Sequence, residues 1–299
     1  MQADTGVTRS ASSSPAASIE QSRPRPRARR PGRPTPGLIL LSLAAGLFTL
    51  VILLPVLAIF LRVLPQDTLW QVMQRPVVVE ALRLSLMTSL LTLALSIGLG
   101  TPLAYLLARH RFPGQTALDS LIELPMVLPP AVAGIGLLMA FGRRGLFGPL
   151  LASMGLTIGF TTAAVVLAQF FVAAPFYVRA ARSGFLGGDR ELEHVAHTLG
   201  VSPWATFWRV TVPVAMPSLL GGAVMCWARA LGEFGATIMF AGSFQGRTQT
   251  MPLAIYAALE ADLDAALVLS AILVVVSFAV LIALRGVVGR RLVPVISDA

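Results

Sequence analysis

Six stretches of this chain are apolar almost without interruption, at about residues 38–61, 77–107, 118–141, 161–181, 214–241 and 265–288. Several of them approach or exceed the ~20 apolar residues that cross the hydrocarbon core of a bilayer. The pattern predicts an all-α polytopic membrane protein with six transmembrane helices. The first run, 24 residues, spans about 36 Å as a helix, enough to cross with some tilt. The second is long enough to extend beyond the bilayer. The third contains Pro125, Pro129 and Pro130, which membrane helices tolerate where neighbours re-satisfy the freed backbone groups. Residues 142–160 then carry Gly142, Gly145, Gly148 and Pro149. Between the fifth and sixth runs, the stretch TQTMPLAIYAALE predicts a short helix at the outer surface.

Residues 185–213, FLGGDRELEHVAHTLGVSPWATFWRVTVP, interrupt this pattern with a polar, doubly helical insert. Asp189 can cap a helix whose first turn carries Glu191 and Glu193, placing negative charge at the positive end of the dipole. Leu192, Val195, Ala196 and Leu199 follow at i, i+3, i+4 and i+7, one apolar stripe. Gly200 then supplies the residue after the C-cap. Ser202 and Pro203 start a second helix, as N-cap and first residue, with Trp204, Phe207 and Trp208 on one face. Such an insert can rest on lipid headgroups with its tryptophans as anchors. It can equally be a surface gripped by a cytosolic protein. Anionic headgroups repel its acidic first turn, which weighs toward the protein.

Composition excludes several chemistries. The chain of 299 residues is 56% hydrophobic and 12% charged, with a mean hydropathy of +0.78. Soluble domains carry about twice that charged fraction. All 23 basic residues are arginine. Without lysine there is no GxxxxGK[ST] phosphate loop, so ATP, if used, is bound by a partner and no cofactor is expected in this chain. Cys226 is the one cysteine, so no intrachain disulfide forms. His194 and His197 lack further ligands nearby to complete a zinc set, and Met126, Met139, Met225 and Met239 read as packing. No metal site is expected.

The net charge of +9 does not imply nucleic acid, because seven arginines lie in the first 33 residues amid Ser, Pro and Ala. That tail, 1–36, reads as disordered. Residues 37–292 form the membrane domain and 293–299 a C-terminal tail. The Arg29–Arg30 pair precedes a long apolar run with no A-x-A cleavage site, which reads as a retained anchor rather than a cleaved signal. With both termini inside, sixteen arginines face the cytoplasm and five the outside; without the tail the ratio is nine to five. Arg143 and Arg144 are the one local violation. The insert is therefore expected in the cytoplasm.

Arg229 and Glu233 lie within the fifth run, where an unpaired ion costs roughly 2.5–3.5 kcal/mol on insertion scales. At i and i+4 they can pair on one helix face, or they can face a translocation pathway or its gate. Pro129 and Pro130, which interrupt the third run, are further gate candidates. Glu123 sits near the cytoplasmic end of that run.

The insert resembles the cytoplasmic loop of ABC-importer permeases, with its pattern of EAA, three residues, Gly, nine residues and I-x-L-P. Gly200 aligns with the motif glycine, Val210, Val212 and Pro213 with its end, and His194, Val195 and Ala196 with EAA. Glu193 stands one position before His194. Over about residues 75–290 the segments ELPMVLPPAVAGIGLLMAFGRRGLFGP, FTTAAVVLAQFFVAAPFYVRAA, ALGEFGATIMFAG and TQTMPLAIYAALE resemble the permease subunit of molybdate/tungstate importers. Sulfate/thiosulfate permeases are similar around GEFG. The resemblance implies a type I ABC importer permease fold in the cytoplasmic (inner) membrane. It also implies a homodimer, a cytosolic ABC ATPase dimer and an extracytoplasmic oxyanion-binding protein. An ion-coupled secondary transporter would be expected to carry inverted repeats, and none is detected.

Overall fold

The computed structural model describes residues 36–64 and 68–292. Apart from Pro36, the expected tails 1–36 and 293–299 lie outside the described residues. Within them every regular element is a helix. In order these are α1 (Pro36–Val63), α2 (Thr68–Met73), α3 (Pro76–Arg109), α4 (Gln115–Val127), α5 (Pro130–Phe141), α6 (Gly148–Ser153) and α7 (Thr162–Gly187). Then follow α8 (Arg190–Thr198), α9 (Pro203–Thr206), a π-helical turn (Phe207–Thr211), α10 (Val212–Leu231), α11 (Gly235–Ala241), α12 (Met251–Ala261) and α13 (Leu263–Leu292).

Among the described residues five helices are long and apolar enough to cross a membrane: Leu40–Val63, Pro76–Arg109, Thr162–Gly187, Pro203–Leu231 and Leu263–Ala283. The expected third span, 118–141, is not one helix. It divides into α4 and α5, bent by 116°. Leu128 and Pro129 both adopt extended backbone, with ψ of 135° and 134°. Each precedes a proline, whose ring disfavours helical geometry in the residue before it.

The expected fifth span, 214–241, is also redrawn. Its helix starts at Pro203, running on from the aromatic segment through the π-helical turn, and stops at Leu231. A new short helix, α11, begins at Gly235, where the buried Glu233 carboxylate accepts a hydrogen bond from the Ala236 N–H at 2.8 Å. The expected short helix forms as α12, with its first turn sunk in the fold. Met251, Leu253 and Ala254 are buried, and the Met251 N–H donates to Ser85 Oγ at 2.7 Å.

The chain divides into compact units at residues 1–53 and 54–299. In the first, the described residues are the beginning of α1, exposed from Leu40 to Leu53. The second holds three packed clusters. In one, Ala104 and Ala108 of α3, Ala173, Tyr177, Ala181 and Phe185 of α7, and Val212, Ala215 and Ala230 of α10 come together. Small residues let helix backbones approach closely where lipid supplies no hydrophobic drive. Polar side chains add to the joint. Ser85, Thr88, Ser89, Thr92 and Ser96 form a buried row on α3, and the Thr92 hydroxyl reaches Gln169 Oε1 of α7 at 3.2 Å. A second cluster joins the end of α1 with α2, α3, α12 and α13. The third joins α5, α7 and α11.

Candidate functional site

The polar insert forms a bracket between α7 and α10, and its local structure follows from the residues that start and stop each helix. The Asp189 side chain accepts from the Glu191 N–H at 2.9 Å, capping α8. Gly200 ends it with φ of +79°, and the Gly200 and Val201 N–H groups bond back to the His197 and Ala196 carbonyls at 3.0 Å each. That pair of bonds is the Schellman closure, which places a left-handed residue after the C-cap. Ser202 caps the next helix by accepting from the Ala205 N–H at 3.3 Å.

The apolar stripe of α8 does not face the protein. Ala196 alone is buried, while Leu192, Val195 and Leu199 are exposed, Leu199 at 77%. His194 is exposed beside them. Trp204 and Trp208 are exposed at 72% and 52%, with ring centroids 5.7 Å apart. Phe207 between them turns inward, 5.0 Å from the Tyr105 ring of α3. Of the remaining motif positions, Val212 is buried, Val210 is half-buried and Pro213 is exposed.

Glu193 points the other way. Its Oε1 lies 2.6 Å from Arg109 Nη2 at the end of α3, and accepts from the Thr211 hydroxyl at 2.8 Å. The two charged side chains are only 7% (Arg109) and 17% (Glu193) exposed. Arg190 adds a bond of 3.5 Å to the Ala108 carbonyl. Sequence reading selected Glu193 but not Arg109 or Thr211, because its partners lie on other helices and no local spacing marks them.

The other candidates meet at the two helix breaks. Arg229 Nη1 stands 2.7 Å from Glu233 Oε2, so the expected pair forms. It is not a pair along one helix, since Glu233 lies beyond the end of α10, in the turn before α11. Glu233 is 1% exposed and Arg229 30%. Pro129 and Pro130 form the break between α4 and α5, and Pro130 touches the second break: a Cβ on Gly235 would stand 2.6 Å from Pro130 Cβ. Glu123 lies 3.8 Å from Arg179 of α7 in an exposed pair, and Asp119 2.9 Å from Arg182. Among the described residues no three His, Cys, Asp or Glu side chains gather as metal ligands.

This arrangement can be compared with known proteins. Residues 100–294 match the model of the binding-protein-dependent transport system inner membrane component family. The chain belongs to that family. This permease is 46% identical over 224 residues to the molybdenum transport system permease protein ModB of Mycobacterium bovis, covering 75% of this chain and 84% of that one. It is 33% identical over 245 residues to a probable sulfate transport system permease protein, cysT, of Zygnema circumcarinatum, covering 81% and 85%. In fold it is similar to the crystal structure of a bacterial alginate ABC transporter in complex with an alginate pentasaccharide-bound periplasmic protein. The TM-score is 0.66 at 15% identity, over 83% of this chain and 92% of that one. The architecture is that of type I ABC importer permeases, and the chain is a multi-pass protein of the cytoplasmic membrane.

Proposed function

We propose that this permease pairs with a second copy of itself to form the pore of an ABC importer carrying molybdate or tungstate. The observation that carries the mechanism is the uncovered face of α8. Leu192, Val195 and Leu199 stand exposed beside Trp204 and Trp208 on an element bonded to two spans. A cytosolic ATPase dimer seated there would deliver the motion of its closure to the membrane helices. Arginine distribution supports a cytoplasmic position for α8 and for both termini. ATP belongs to the partner, because this chain has no lysine for a phosphate loop. An extracytoplasmic binding protein would supply the oxyanion.

The greater identity to the molybdenum permease, 46% against 33% for the sulfate one, supports the substrate class. Arg229, Glu233, Pro129 and Pro130 are the proposed pathway and gate residues. A free guanidinium in low dielectric would hold a divalent oxyanion tightly and slow its release. Glu233, 2.7 Å away, competes for that charge. The test is uptake by proteoliposomes holding the permease, its ATPase and its binding protein. Molybdate should enter only with ATP, and tungstate should compete while sulfate does not. Effective competition by sulfate would favour a sulfate/thiosulfate permease, and ATP-independent uptake would favour an ion-coupled carrier.

A further inference from the structure

The geometry points to Glu193 as the joint through which α8 moves the membrane helices, rather than as a contact with the ATPase. We infer that its carboxylate holds α8 to α3 through Arg109 and to α10 through Thr211. This rests on the ATP-driven function proposed above and assigns one residue's part in it. His194 faces outward, and Glu193, one residue earlier, is turned into the fold.

Three observations favour a transmitting role. First, one oxygen serves both partners, Oε1 at 2.6 Å from Arg109 and 2.8 Å from Thr211. A displacement of α8 cannot leave both distances intact unless α3 and α10 follow. Second, the pair is largely withdrawn from water, where a charge left without its partner is costly. Breaking the joint is therefore unfavourable, and α8 carries its partners along. Third, Thr211 closes the π-helical turn, Phe207–Thr211, inside a helix that otherwise runs from Pro203 to Leu231. Such bulges occur often at functional sites and can change register locally. Glu193 thus grips the span at its π-helical turn. The outer face of the same helix, Leu192, Val195 and Leu199, is free to receive the push. Glu193 acts through Arg109 and Thr211, as a positioning residue.

The test uses the whole complex in proteoliposomes, with wild type, Glu193→Gln and Thr211→Val at matched abundance. ATPase capture, ATP hydrolysis and substrate imported per ATP are each measured. Glu193→Gln keeps the shape and removes the charge. It should capture the ATPase and hydrolyse ATP within about twofold of wild type, while import per ATP falls about tenfold, the loss of one charged hydrogen bond. Thr211→Val leaves the ion pair and should lower the same ratio by about threefold. A variant pairing Arg109→Glu with Glu193→Arg should recover part of the ratio. Loss of capture in step with import would overturn the inference and make Glu193 an ATPase contact. An unchanged ratio would make the node merely structural. Should Glu193→Gln fail to reach the membrane, Thr211→Val decides alone, and an unchanged ratio in it overturns the joint. A wild-type complex that imports sulfate rather than molybdate refutes the substrate reading instead, and the ratio is then read with sulfate.

Discussion

A side-chain carbon added to Gly134 would stand 2.7 Å from the carbonyl oxygen of Ala236, so α5 and α11 meet backbone against backbone. These are the second halves of the two interrupted apolar segments. Each starts just after a break, one at Pro129–Pro130 and the other at Gly232–Phe234, and Gly235 repeats the close approach against Pro130.

This contact predicts that Gly134→Val is destabilising while Gly136→Val, two residues on in the same helix, is tolerated. A Cβ at Gly136 meets open space. Overpacking at Gly134 should cost about 1–3 kcal/mol. Thermal unfolding in detergent and membrane abundance measure the difference. Equal stability of the two variants would show that α5 and α11 do not need to touch.

At the second break, Glu233 has two tasks, pairing with Arg229 and capping α11 through Ala236. Glu233→Gln keeps an oxygen for the cap and loses the charge, so it should be more stable than Glu233→Ala by about 1 kcal/mol. Arg229→Ala and Glu233→Ala should each impair transport, since each leaves a partner charge uncompensated in low dielectric. The double variant should be milder than the sum, with a coupling of about 0.5–3 kcal/mol. Strictly additive losses at normal expression would argue against a coupled pair.

The helices themselves were legible in the apolar runs, because a bilayer demands long uninterrupted segments and leaves few alternatives. Caps were legible too. Asp189, Gly200 and Ser202 act within a few residues of themselves, and all three do what their types imply. The breaks were less so. Pro129, Pro130, Gly232 and Gly235 stood in plain view, but apolarity continued past them, and the counting of apolar residues does not register a turn. Sequence spacing marks Glu233 as a partner for Arg229 or a pathway residue, whereas its capping role depends on α11, which the apolar run conceals. Arg109 lies 84 residues from Glu193 and Thr211 lies 18, separations at which no spacing rule applies. The burial of Glu193 was hidden for the same reason.

The exposed face of α8 supplies a test of what covers it. Leu199 is 77% exposed, so Leu199→Glu should leave the fold and insertion intact. It should weaken ATPase capture, since a charge would be buried against the partner. Tryptophan fluorescence with brominated lipid tests the other arrangement. Strong quenching of the wild-type insert, with capture unaffected by Leu199→Glu, would place this face on the bilayer.

Gly200 gives the sharpest test of the bracket as a coupling device. Its φ of +79° lies in the region that side chains other than glycine enter at a cost, and apart from its two chain neighbours no residue comes within 4 Å of where a Cβ would stand. Substitution there strains the backbone and nothing else. Valine should cost roughly 1–2 kcal/mol, which the chain can relieve by opening the Schellman closure at Ala196 and His197. Opening it would tilt α8 relative to the aromatic helix while the spans stay inserted. Asparagine enters the left-handed region several-fold more readily than most residues, so Gly200→Asn should lie between wild type and valine. The expected phenotype of Gly200→Val is a permease at normal membrane abundance that captures its ATPase poorly and imports little substrate. Pull-down of the ATPase by the three proteins, at matched abundance and alongside uptake, measures it. Capture and uptake equal across all three would remove the docking role from this loop and return α8 to the lipid surface.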